Sequence, residues 1–403
     1  MSITEFFILN KWVLLFYGVI ILLLILNRKK FDVHGKIVAL YRTKIGLKAM
    51  ESISSKYKEI IRLLGYTGVG VGIVGLVFIF VILLHNMWKL FTQPSAQSGV
   101  SLVIPGVHIP GAILTPPLII GWIALFIVIV VHEFSHGVVA RTHGIKIKSS
   151  GLAFFGPLMG AFVEPEEKNL RKKQDIAQYS VFAAGPFANI LLGIIVLALG
   201  SWIIVPLIGL ATAPIGFSVE NIQEGYPGEM AGLESGVIIK GINGVPTKEY
   251  NDFAQQLNFV RVNEAILLNT DQGNYSITTT THPDYPDLPR GYIGISGFKN
   301  EIRLKTENLL NKIWLNILAW VKELFVWVYI LSLGIGLANL LPLGPVDGGR
   351  IALVAFTRIK GKERGMTWWK KLSVFTLFLL LLNIFWPLFK WLGTMVVTGI
   401  ALL

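Results

Sequence analysis

The chain of 403 residues contains no cysteine. Disulfides and thiolate metal ligands are therefore excluded, and any transition-metal site must be built from His, Asp and Glu. Charge is also scarce, at 15% of residues, against roughly 25% in soluble domains. Apolar residues fill the gap: 53% of the chain is hydrophobic and the mean hydropathy is +0.63. This balance excludes an ordinary soluble enzyme and a disordered chain, and indicates a polytopic α-helical membrane protein.

What charge there is sits unevenly. Residues 28–66 carry ten Lys/Arg against three acids, 141–176 carry seven against four, and 350–371 carry seven against one. Together these segments hold 24 of the 36 basic residues, each beside an apolar run. The net charge of +12 is thus better read as cytosolic retention of Lys/Arg than as a nucleic-acid surface, and no nucleic-acid partner is expected. Six apolar runs predict about six transmembrane helices: Trp12–Asn27, Gly68–Leu84, Leu118–Ala140, Ala177–Ile208, Ile313–Leu341 and Leu372–Phe389. The fourth is interrupted by Gly185-Pro186 and Pro206, and residues 391–403 either continue the sixth or lie at an interface. With the basic segments in the cytosol of a multi-pass cell-membrane protein, the N-terminus and residues 213–311 fall outside. That external segment has seven basic and twelve acidic residues, the opposite sign to the loops.

Three parts follow: a membrane part over 1–212, an extracytoplasmic insert over 213–311 and a second membrane part over 312–403. The insert changes to short alternating runs (GFSVENI, GVIIKGING, AILLNT, YSITTT) separated by turn residues, which predicts a small mainly β domain. Its best helix candidate is Glu249–Asn258. Val100–Pro117 and Gly151–Val163 are apolar but broken by Gly and Pro. Each reads either as a strand or hairpin covered by protein at the membrane, or as an interfacial loop.

Residues 132–136 read His-Glu-Phe-Ser-His, closing the uncharged run Leu118–Val131. Imidazoles four apart share one helix face, and the Glu between them is placed to act as general base. Ionisable groups at membrane depth are costly unless paired or liganded, so a metal site at His132 and His136 is the economical reading. Zinc needs a third protein ligand. The candidate that remains after searching the other apolar segments is Asp347, in Asn339-Leu-Leu-Pro342-Leu-Gly-Pro345-Val-Asp347-Gly348-Gly349. It lies just before Arg350 and so at the same cytosolic level. Pro342 and Pro345 break the helix, while Gly348 and Gly349 permit close backbone approach.

Taken together, HEFSH and NLLPLGPVDGG resemble the site-2 protease family of intramembrane zinc metalloproteases, peptidase family M50. The resemblance extends to Gly185, Pro186 and Asn189 as the family's GPxxN element, and to the stretch FFGPLMGAFVEPEE as its strand segment. Gly344 stands where many members have proline, with the spacing to Asp347 kept. The insert resembles a PDZ domain over Gly225–Gly236 and Ile242–Gly244. The resemblance implies one Zn2+ held by His132, His136 and Asp347, with Glu133 as base and Asn189 as a second catalytic residue. Asn189 would donate to the developing oxyanion or make a packing hydrogen bond. Gly185, Pro186, Asn339, Pro342, Gly348 and Gly349 would shape the site or hold substrate. The implied reaction is cleavage of transmembrane protein substrates within the lipid bilayer, and the PDZ-like domain would bind a peptide or new C-terminus or act as a size filter. The alternatives are a catalytically silent scaffold recruiting partners through that domain, a transporter, and a membrane-attached protease of soluble peptides.

Overall fold

The computed structural model describes residues 10–34, 38–93, 96, 98–100, 102–109 and 114–401. These fall into two compact units, Met1–Gly200 with Lys322–Leu403, and Ser201–Val321.

Among the described residues, five stretches are long and apolar enough to cross a bilayer. They include α3 (Lys58–Thr92), α4 (Leu118–Thr142) and α5 (Asp175–Leu199), the last continuing through a π-helical turn at 200–204 into α6 (Val205–Ala211). The others lie in α8 (Leu309–Asn339) and α10 (Lys362–Ala401), so 391–401 prolong the last helix. The first apolar run forms α1 (Lys11–Leu26), whose 16 residues span about 24 Å, short of a core of about 30 Å. Shorter helices of this unit include α2 (Leu47–Lys56) and α9 (Asp347–Lys360).

Small residues let these helices approach. Along α3, a Cβ on Gly65 would touch Ser180, one on Gly68 would press on Phe187 at 3.2 Å, and one on Gly72 would lie 3.1 Å from Ala183. Without a hydrophobic drive between helices in lipid, such close backbone contact is the main source of association. A buried cluster including Val138, Ala140, Val181, Ala183, Leu340 and Ile351 fixes α4, α5 and the start of α9 around one point.

The membrane unit also holds a four-stranded antiparallel sheet, ordered β1 (Asp32–His34), β2 (Val38–Thr43), β3 (Ile147–Phe155), β4 (Leu158–Pro165). The hairpin reading of 151–163 thus holds, and the sheet gains two strands from the basic 28–66 segment. Gly156, at φ +57°, begins the two-residue turn between Phe155 and Leu158, a position where glycine bears no Cβ penalty. Arg42 on β2 bonds Asp32 on β1 and Glu164 on β4, tying three strands together. The second candidate, Val100–Pro117, forms no strand among its described residues beyond a bridge between Ile104 and Val107; residues 101 and 110–113 lie outside them.

The second unit contains a six-stranded antiparallel sheet. β5 (Thr212–Ile222), β6 (Ile238–Ile242), β7 (Val245–Pro246), β8 (Ala265–Thr270), β9 (Asn274–Thr278) and β10 (Ile295–Leu304) pair in the order β10-β5-β6-β8-β9, with β7 on β6. Helix α7 (Tyr250–Leu257) starts with a reciprocal capping box between Glu249 and Asp252 and places Phe253 on Phe217 in an apolar core. This α+β arrangement is consistent with a PDZ-like insert.

Candidate metal centre

The site is built on α4. His132 and His136, one helical turn apart, direct their Nε2 atoms to a common point, 3.2 Å from each other. Asp347, the first residue of α9, brings Oδ2 to 3.1 Å from His132 Nε2 and 3.2 Å from His136 Nε2. A tetrahedral zinc with bonds of about 2.0–2.1 Å requires ligand atoms roughly 3.3 Å apart. The three atoms therefore describe one face of such a shell, and the cluster fits a single zinc ion.

The remaining nitrogens fix the rings. His136 Nδ1 donates to the Val181 carbonyl at 2.6 Å, which leaves Nε2 unprotonated and available to a metal. His132 Nδ1 lies 3.2 Å from the Asn189 amide, which is fully buried. A metal on His132 Nε2 requires Nδ1 to carry hydrogen, so the amide then turns its oxygen to the ring. The Asn189 backbone is itself secured by Ser332 of α8, whose hydroxyl donates to the Asn189 main-chain carbonyl at 2.7 Å.

Close approach explains the glycines. A Cβ on Gly185 would run into Nε2 of both histidines, so α5 can pass beside the metal position only without a side chain there. Pro186 follows it inside α5, also buried. Pro342 lies in the turn between α8 and α9, and a Cβ on Gly348 or Gly349 would collide with the carbonyls of Leu340 or Leu343 in that turn. Trp369 of α10 donates Nε1–H to the Gly349 carbonyl at 2.8 Å, anchoring the start of α9. Asn339, the last residue of α8, donates to the Ile335 carbonyl at 3.0 Å.

Glu133 faces β4, where its Oε2 accepts the Val163 backbone N–H at 3.1 Å. A cavity of about 260 Å3 adjoins the cluster, bordered by Glu133, Phe162, Val163, Asn339, Pro345 and Arg350. Asn189 does not line it. The Val163 and Val181 contacts were not evident in the sequence, because a backbone group has no residue-type signature.

The Peptidase family M50 model matches residues 120–382, a stretch holding all three candidate ligands. The chain belongs to peptidase family M50. Relatives of this M50 peptidase include an uncharacterized protein of Methanocaldococcus jannaschii, 29% identical over 339 residues (82% of this chain and 80% of that one). A Clostridium perfringens protein is 24% identical over 311 residues, 61% of this chain and 89% of its own. The zinc metalloprotease RasP of Shouchella clausii is 22% identical over 227 residues, 44% of this chain and 50% of its own. Family membership and the His-His-Asp cluster together identify a membrane-embedded zinc metalloendopeptidase.

Proposed function

We propose that this M50 peptidase cleaves transmembrane segments of membrane proteins, with His132, His136 and Asp347 as metal ligands and Glu133 as general base. The observation that carries the reading is the convergence of three ligand atoms at 3.1–3.2 Å spacing, two from the apolar, membrane-length α4 and one from the start of α9. Zinc held there would act as a Lewis acid, lowering the pKa of water and polarising the scissile carbonyl. Glu133 Oε2 is occupied by the Val163 N–H, so Oε1 takes the water proton and delivers it to the leaving nitrogen. Asn189 acts through His132 as a positioning residue, since its amide meets the ring and not the cavity. Asn339 and the turn over Pro342, Gly348 and Gly349 shape the cavity wall.

A helical substrate screens its own carbonyls, so the cut segment must be extended. β4 is an edge strand. Its Val163 N–H points off the sheet to Glu133, and by strand alternation those of Ala161 and Met159 share that side. A substrate strand added there would be held by main-chain bonds and led to the base. The distribution of Lys and Arg supports an N-terminus and insert (213–311, between membrane parts 1–212 and 312–403) outside the cell membrane. The active site then lies toward the cytosol. The PDZ-like insert would engage a peptide or new C-terminus of the substrate.

The test is cleavage of a membrane-spanning substrate by purified protein in detergent. Glu133→Gln should lower the rate by about 10²–10⁴-fold with zinc retained, and Asp347→Ala should abolish both zinc and activity. Undiminished cleavage by both variants would end the assignment.

A further inference from the structure

Away from the metal, three membrane helices end side by side and leave a concavity of about 490 Å3. Lys58 and Arg62 enter it from the start of α3, His143 from the end of α4, and Lys172 and Lys173 from the residues before α5. Among the described residues, no Asp or Glu lines it. The nearby acids are engaged elsewhere: Glu167 pairs with Arg171 at 3.0 Å and Asp175 with Arg358 at 3.3 Å. Among the described residues, Arg62 forms an ion pair only with the exposed Glu59 on its own helix. Among the described residues, Lys58, Lys172 and Lys173 have no ion-pair partner.

The positions are unfavourable for cations in themselves. Lys58 is the first residue of α3, and Lys172 and Lys173 precede α5, whose N-cap Gln174 makes no side-chain cap bond. A positive charge there opposes the positive end of each helix dipole. Lys173 Nζ lies over Gly144, within 3.7 Å of where a Cβ would stand, which aims it into the concavity. Burial, with Arg62 and Lys173 nearby, holds the His143 imidazole below its usual pKa, and its buried Nε2 has no partner. Retention of Lys/Arg on one membrane face explains basic residues at helix ends. It does not explain their convergence around a space free of acids. At the neighbouring sheet the basic groups are answered, Arg42 and Lys148 both by Glu164.

We infer that this concavity is a phosphate site, filled at the membrane surface by the headgroup of an anionic phospholipid. The depth selects the source, since helix ends mark the edge of the hydrocarbon where lipid phosphates lie. The volume suits a headgroup. Occupancy would clamp the end of α4 to the start of α5, the helices that carry His136 and its Val181 acceptor.

The experiment is native mass spectrometry of the full chain in detergent with phosphatidylglycerol, phosphatidylcholine or inorganic phosphate, alongside thermal unfolding. It needs no peptidase activity, so it stands or falls apart from the catalytic assignment. One tightly retained phosphatidylglycerol and a raised Tm are expected, with phosphatidylcholine giving neither and inorganic phosphate competing only at far higher concentration. Lys58→Gln with Lys173→Gln should weaken retention by about thirty-fold, the attraction of two surface cations, while the lipid-free Tm stays unchanged as evidence of folding. Lys148→Gln, at the sheet, should retain the lipid. Equal retention of the two lipids, or undiminished phosphatidylglycerol binding by the double variant, would overturn the site. Inorganic phosphate binding without lipid preference would overturn the lipid source.

Discussion

The two units bury different things. In Ser201–Val321 the largest fully buried side chains are apolar, Phe217, Phe253, Ile239 and Leu268 among them. In the membrane unit, His132, Asn189 and Ser332 lie at 5%, 0% and 0% exposure, beside the half-buried Asp347. Buried polar groups lower stability unless they are satisfied, and here His132 meets both Asn189 and Asp347, while the Ser332 hydroxyl meets the Asn189 backbone. The contrast separates a core selected for packing from one in which packing serves to hold chemistry.

Four perturbations would sharpen or break that contrast. Phe253→Ala should destabilise the β unit by about 3–5 kcal/mol, followed by denaturant unfolding, while zinc stays at one per chain. Zinc loss in that variant would mean the units are not separable. Gly185→Ala should act in reverse: the added methyl strikes both imidazoles, and an overpacking penalty of about 1–3 kcal/mol should appear as weaker zinc binding in a chelator competition, with the β unit unchanged. Asn189→Ala should lower zinc affinity about 10–100-fold, as loss of a ligand-orienting partner does. Asn189→Asp, which keeps the acceptor for His132 Nδ1–H, should recover part of it. A direct oxyanion role would instead lower kcat alone and leave affinity intact. The smallest effect concerns Glu164. Burial raises its pKa, but hydrogen bonds from Ser149 and Arg42 outweigh this and hold it below the ordinary glutamate range. Its contribution is therefore present above the unfolded-state value and lost as pH falls through the folded one. The group is partly exposed, so acidification should loosen the β2-β3-β4 sheet by under about 1 kcal/mol, seen as faster amide exchange in β4.

Local patterns in the sequence led to much of this. The spacing of His132 and His136 dictates a shared helix face, whereas Gly156-Pro157 between apolar runs allows either a hairpin or an interfacial loop, and the pairing of β3 with β4 decides for the hairpin. Asp347 emerged from the shortage of other acids at membrane depth. Pairings between distant segments were not legible: β1 and β2 come from a basic stretch that reads as a loop, and they become strands because β3 offers an edge more than 100 residues later. β10 was missed for a related reason. Lys299, Glu301 and Arg303 interrupt its apolar residues, and its partner β5 lies at the other end of the unit. Contacts made by backbone alone, such as Val163 N–H to Glu133, carry no sequence signal.

Catalysis at this centre requires Asp347 to share one zinc with His132 and His136. X-ray absorption at the zinc edge of the purified protein tests it most directly. The predicted spectrum has two imidazole nitrogens and a carboxylate oxygen at about 2.0–2.2 Å, with the zinc signal lost in Asp347→Ala. An unchanged spectrum from bound zinc in that variant would contradict it.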